Sequence, residues 1–508
     1  MRIKNVIRNT AASVGSYVFL FFINIIVRKF FLAYFDVELL GYEGLFGSIF
    51  LILSMAEMGS NSMFDYMLYE ALAKKDEQEV SIIMGMYQKL YRLIGVVVFT
   101  FGMIVYGFLP FFIREDVSDW SFVRIIYLIQ LGGTLITYFL AYRRTLLIAD
   151  QKSYEVTAID TIYKFVSGLC RIISIIVFNS YLAYLIVPIA TNLISNINIS
   201  KLTKKKYKGV SKHRAKWDDF RKRDAFSQLK SLMVHKISTV IYNSSDNFII
   251  STMIGIKTMG FYSNYQLINS ALSQLLIFFT GSVGSSAGNL MYTESENKKE
   301  NFYITLDFIS FLIAIICMTE MVVCYQKVIS FIYGAQYLLP DAVPFILGLN
   351  FYVNCRGIGY GTLQSSIGHY ETSRMYSVFS AIINVVFSVL LGWKFGISGI
   401  LAATVAGNCL IQAGRASVVF KWIFAGIERR EINKEICFLA VSLGCSYSLN
   451  RLSYNFDNDI WSILFCAFLT LIITTILIVV IFGRTHRFKV TWQYVMDASR
   501  AVLGRKEI

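Results

Sequence analysis

The chain is poor in charge, proline and histidine. Only 16% of its 508 residues are charged, against roughly 25% in an average soluble domain, while 56% are hydrophobic. That balance excludes a soluble multidomain protein and makes the bilayer the working medium. Of the four prolines, Pro188 and Pro344 fall inside apolar runs, so most helices lack a proline kink, although glycines leave local bending open. The four histidines are widely scattered, and the eight cysteines have no paired spacing. A zinc site and a disulfide framework are thereby excluded, and the cysteines read as small apolar residues. No phosphate-binding glycine loop, nucleophile elbow or metal-ligand spacing occurs, so neither an enzyme nor a cofactor is expected.

What is abundant is long apolar runs, each able to cross a hydrocarbon core of about 30 Å as a helix. Spans are predicted at 9–35, 39–70, 86–113, 122–149, 156–178, 181–200, 228–254, 258–290, 302–330, 343–366, 374–394, 397–421, 434–451 and 461–483, about fourteen in all. Met1 to Arg8 is basic and leads into the first run without a small-residue cleavage pattern, so an uncleaved first helix is expected. An even count puts both termini on one side. Most basic residues collect there, above all the twelve Lys or Arg of Lys201–Lys230, which reads as the cytoplasmic face. Alone, that run would suit nucleic acid; between membrane spans, no nucleic-acid partner is expected.

The fold class is therefore all-α and polytopic. Lys201–Lys230 divides it into an N-terminal lobe of six helices (1–200), a basic inter-lobe loop (201–227), a C-terminal lobe of six more (228–423), and two extra helices with a tail (424–508). A weak internal repeat supports two parallel lobes. It relates Thr145-Leu146 and Tyr154-Glu155 to Thr362-Leu363 and Tyr370-Glu371, and Gly41-Tyr42 to Gly260-Phe261-Tyr262.

Ionisable residues inside spans cost about 2.5–3.5 kcal/mol each near a helix centre, so they face a cavity or a partner. Arg171 and Arg356 lie about 20 Å into their helices and read as cavity cations or as members of buried pairs. Lys164 and Arg415, about 9 Å from inner ends, either line the cavity or snorkel to the interface. Arg28 with Lys29, and Lys236 with His235, carry the same pair of readings. Asp160 stands four residues before Lys164; an ion pair there leaves Arg171 for substrate. The candidate substrate cations are thus Arg28, Arg171, Arg356, Lys236, Lys164 and Arg415. Asp246, Glu57, Asp160 and Asn243 are candidate cavity-polar or ion-coupling groups, for H⁺ or Na⁺. A cavity rich in guanidinium suits phosphate and sugar-acid groups, because its forked donors stay charged.

The run Leu39-Leu40-Gly41-Tyr42-Glu43-Gly44-Leu45-Phe46, then Leu53 to Gly59 and Leu146 to Tyr154, resembles the Wzx-type polysaccharide flippases of the oligosaccharidyl-lipid exporter superfamily. So do Ser245 to Ser251, Gly260 to Tyr265 and Gly396 to Ile400, most like the Gram-positive capsule and exopolysaccharide members. The resemblance implies two six-helix lobes around a cationic cavity and translocation of an oligosaccharide carried on undecaprenyl pyrophosphate. Its partners would be that substrate, membrane lipids, a polysaccharide polymerase and glycosyltransferases, with the transporter itself a monomer. Only Arg28 and the patch around Asp246 match recurrent family positions. The branch that flips the peptidoglycan precursor carries arginines in mid-helix one, where this chain reads Phe21-Phe22-Ile23-Asn24-Ile25-Ile26. Such a flippase, a MATE-like exporter of small cations, and a non-transporting scaffold for glycosyltransferases stand as rival readings.

Overall fold

The computed structural model describes residues 2–57, 60–114, 117–210, 213, 216, 218–219, 240, 244–293, 295–367, 371–422, 429–453 and 459–502. Among them every regular element is helical, and they pack as two compact units, Met1–Ser263 and Asn264–Ile508. Most of the expected joint beyond residue 210, together with Lys236 and Asn243, lies outside the described residues.

The first unit contains α1 (Arg2–Tyr34), α2 (Val37–Leu53), α3 (Ser60–Lys74), α4 (Glu77–Gly107), α5 (Leu109–Phe112), α6 (Trp120–Leu140), α7 (Arg144–Ala149), α8 (Ser153–Ile176) and α9 (Tyr181–Lys206). It also holds α10 (244–249), which runs on as a π-helical turn over Ile250–Ile254, and the start of α11 (Ile256–Thr293). The second unit holds the rest of α11, then α12 (Glu296–Tyr333), α13 (Ala342–Ile367), α14 (Glu371–Trp422), α15 (Arg429–Ser453), α16 (Ile460–Phe482) and α17 (His486–Val502). Among the described residues seven segments are long and apolar enough to cross a bilayer by length and composition: Ala12–Tyr34, Glu77–Gly107, Trp120–Tyr138, Tyr181–Lys206, Asn297–Tyr333, Ser373–Lys421 and Ile460–Phe482.

Burial runs opposite to that of a soluble bundle. On α16 the buried stripe is Cys466, Thr470, Thr474, Ile478 and Phe482, one residue per turn, while Leu464, Phe468, Ile476, Val479 and Val480 are exposed. In lipid the apolar face gains nothing by packing inward, so small and hydroxylated residues form the helix contacts. Thr474 meets Thr319 of α12 at 3.3 Å between hydroxyls.

Two glycines set a close crossing in the first unit. A Cβ on Gly41 of α2 would strike the Ile256 carbonyl of α11, and one on Gly260 of α11 would strike the Val37 carbonyl of α2. Each glycine meets the residue one turn before the other, so the contact is unchanged when the two helices are exchanged. These are the glycines of the internal repeat.

Two spans expected to be continuous are broken. The stretch 39–70 divides into α2, a 3₁₀ turn at Ser54–Glu57, and α3; the stretch 122–149 divides into α6, a 3₁₀ turn at Ala141–Arg143, and α7. Apolar length hides such breaks, because hydropathy does not register backbone irregularity. At membrane depth irregular backbone is tolerated where it is buried in protein or lines a cavity, and these turns do the latter. Spans 374–394 and 397–421 correspond to the two arms of α14 about Gly396, whose φ of 59° and ψ of −141° suit only glycine. The arms fold back on each other, with Asn384 donating to Thr404 (3.0 Å) and Ser380 to the Gly407 carbonyl (2.7 Å).

Candidate functional site

In the first unit α1, α2, α8, α9 and α11 bring charge together near one set of helix ends. Arg28 of α1 donates from Nη1 to Ser263 of α11 at 2.8 Å. Glu43 of α2 accepts from the Tyr181 hydroxyl at 3.2 Å and lies within electrostatic reach of Arg171 and Arg28. Arg171 of α8 stacks on the Tyr184 ring, 3.9 Å from its centroid, and donates to its hydroxyl. Its Nε is buried with no hydrogen-bond partner among the described residues. Tyr181 and Tyr184 are themselves buried against Phe31. Two guanidinium groups thus stand around one carboxylate, and one Arg171 donor is unused among the described residues. Arg171 stands five residues from the C-terminal end of α8, about 7 Å along the axis; the expected depth of about 20 Å, taken from the other end, overstated its distance from an interface.

Both broken helices open onto a cavity of about 320 Å³ in the same unit, lined by Glu57, Asp65, Tyr87, Tyr91, Thr137, Tyr138, Arg144, Thr145 and Ile148. The Tyr91 hydroxyl donates to Glu57, and Thr145 donates to Tyr87 at 3.2 Å. At the cavity wall Arg144 pairs with Asp160 at 3.0 Å, and Asp160 also accepts from Ser195 at 2.7 Å. The Asp160–Lys164 pair that their spacing allows does not form among the described residues. A tertiary partner with a forked donor displaces the sequence neighbour, and Lys164 is exposed.

In the second unit Arg356 joins a closed ring of four charges. Its Nη2 lies 3.1 Å from Asp307 of α12 and 3.0 Å from Glu435 of α15. Arg487, at the start of α17, completes the ring, 3.3 Å from Asp307 and 2.7 Å from Glu435. Arg356 also donates to the Asp307 carbonyl at 2.8 Å. Arg356 is thus paired with both carboxylates, the buried-pair one of its two readings, in this conformation. Arg415 donates to Gln412 at 3.3 Å. Asp246 is buried on α10, beside Asn247, which donates to Ser48 of α2 at 2.9 Å.

The sequence profile described as polysaccharide biosynthesis protein matches residues 44–344, more than half of the chain. The chain belongs to the polysaccharide biosynthesis protein family. No curated protein matches it by sequence. Among solved structures, "Lipid II flippase MurJ, inward closed conformation" superposes with a TM-score of 0.66 at 14% identity, over 93% of this chain and 99% of that one. An inward-facing multidrug resistance MATE family transporter of the MOP superfamily gives 0.62 at 14% identity, over 78% and 94%. A MATE structure in complex with MaL6 gives 0.53 at 13% identity, over 82% and 96%. At these identities the likeness is one of fold.

For this polysaccharide biosynthesis protein the structure brings together Arg28 and Arg171, and separately Glu57 with the Arg144–Asp160 pair. It adds Glu43, Tyr184, Asp65 and Arg487, which the reading by residue type had left unassigned to a site. Glu43 sits in the quoted Gly41-Tyr42-Glu43-Gly44 motif, and its charge inside an apolar run was the available signal. Arg487 gave none, because it follows the last predicted span.

Proposed function

We propose that this protein carries an oligosaccharide linked to undecaprenyl pyrophosphate from the inner to the outer leaflet of a bacterial plasma membrane by alternating access, supplying surface polysaccharide assembly. Family membership and the fold support the reading. The observation that carries it is Arg171: a guanidinium held by a phenol ring, its Nε without an acceptor, in a cluster with more arginine than carboxylate. Such a site is built for the pyrophosphate of the carrier. Alternating access then requires that the anion bind weakly enough to leave.

Reconstituted vesicles loaded with the lipid-linked oligosaccharide test this by its accessibility to an added lectin. Arg171→Ala should slow transport roughly tenfold to a hundredfold, as expected when a charge-assisted hydrogen bond of about 1.5–3 kcal/mol is lost. Unchanged transport at equal protein content would remove Arg171 from the site and sink the reading.

The cavity around Glu57 favours a second reading, because two carboxylates with three tyrosines suit an organic cation. On the first reading the same cavity holds the coupling H⁺ or Na⁺, and Glu57→Gln abolishes the ion dependence of flipping. On the second, Glu57→Gln removes tolerance to lipophilic cations and leaves surface polysaccharide unchanged.

A further inference from the structure

A separate cavity of about 280 Å³ lies in the first unit where α4 begins and α9 ends. This is below the roughly 300 Å³ at which drug-sized clefts start, and fits a headgroup instead. Ser81, Gly85 and Gln88 of α4 form one wall, Tyr142 and Arg143 of the second 3₁₀ turn another, and Thr203 and Lys204 of α9 a third. Tyr207, Lys208, Val210 and His213, the chain that follows α9, cross over it. Gly85 permits this approach, since a side chain there would run into the His213 carbonyl. Tyr207 holds the crossing in place by donating to Asp150, with Lys152 over its ring at 5.3 Å.

The charges are one-sided. Arg143, Lys204 and Lys208 line the cavity, and among the described residues its lining has no carboxylate. Arg143 donates only to hydroxyls, from Nε to Tyr142 (2.9 Å) and from Nη1 to Ser200 (2.8 Å). Of the carboxylates nearby, Glu155 pairs with Lys206, Asp150 with Lys152 and Tyr207, and Asp219 with the Lys216 backbone and His213; Glu77, at the start of α4, lies against Gly209 outside the lining. Tyr142 accepts from both Gln88 (3.1 Å) and Arg143, so its own proton is left to donate. Three cations and a free hydroxyl proton face a headgroup-sized space.

We propose that this cavity binds a phosphate group, either the phosphodiester of an anionic lipid headgroup or a soluble phosphate ester, gripped by Arg143, Lys204 and Lys208. It is distinct from the Arg28–Arg171 cluster and from the Glu57 cavity. Bound phosphate ties the segment after α9 to α4 and to the turn before α7, so occupancy holds the crossing chain closed.

The full chain in detergent, titrated with fluorescent phosphatidylglycerol and with fluorescent phosphatidylcholine, tests this. Wild type should bind the anionic lipid selectively. Lys204→Gln/Lys208→Gln should weaken that binding about thirtyfold and, separately, Arg143→Gln about fivefold, given the contribution of each basic residue facing an anionic headgroup. Lys201→Gln/Lys205→Gln removes the same charge from α9 outside the cavity and should leave binding intact, as should Lys204→Arg/Lys208→Arg. Displacement of the lipid by inorganic phosphate assigns the site to a soluble ester, and resistance to displacement assigns it to a headgroup; both keep the proposal. Equal weakening by the two Gln pairs, or none by Lys204→Gln/Lys208→Gln and Arg143→Gln, overturns it in favour of diffuse attraction.

Discussion

Arg171 and Arg356 are both guanidinium groups inside helices, and their neighbours give them opposite tasks. Arg356 is locked with Asp307, Glu435 and Arg487, so removing either arginine leaves a carboxylate without compensation. Arg487→Ala should therefore destabilise the second unit by about 3–5 kcal/mol, the usual effect of breaking a buried ion pair. A thermal melt in detergent checks this, and a melting temperature equal to wild type would show the ring to be idle. Arg171→Ala leaves Glu43 still facing Arg28, so it should melt closer to wild type than Arg487→Ala while transport falls. At this scale the sequence showed which residues were unusual but not whom they would meet. Lys164 stood in register for Asp160, yet Arg144 arrived from another element. Depth counted from one helix end misjudged Arg171 because the position of the other end decides it.

Helices in this protein are informative where they stop. The 3₁₀ turns at Ser54–Glu57 and Ala141–Arg143 interrupt runs whose apolar length predicts continuity, and each contributes to a cavity. Hydropathy located the spans and missed the interruptions, since a few irregular residues hardly alter a mean. The glycine crossing of α2 and α11 was visible as a repeat without its meaning. Gly41→Ala forces backbone apart and should cost about 1–3 kcal/mol, as overpacking does. Gly47→Ala on the same helix, with open space beside it, should cost nothing measurable. Comparing the two melting temperatures separates the crossing from glycine's general effect on helix stability.

For the molecule as a whole, composition alone was enough to identify an all-α membrane protein, and motif order pointed to the family that the profile confirms. The substrate is the part that residue chemistry leaves to proposal: the Arg28–Arg171 cluster favours an anion, and the Glu57 cavity a cation. Depleting the protein should make an undecaprenyl-pyrophosphate-linked oligosaccharide accumulate, detected by mass spectrometry of extracted lipids; no accumulation would rule out the flippase reading. The hairpin of α14 also bears on how such a chain reaches its fold. Ser380, Asn384 and Thr404 satisfy one another or the backbone across the Gly396 bend, and in hydrocarbon an unsatisfied polar group costs several kcal/mol. Neither arm is well suited to leave the insertion machinery alone. Released as a pair, the two arms would enter the bilayer with these groups already matched, which favours insertion of this region as a hairpin over insertion as single helices.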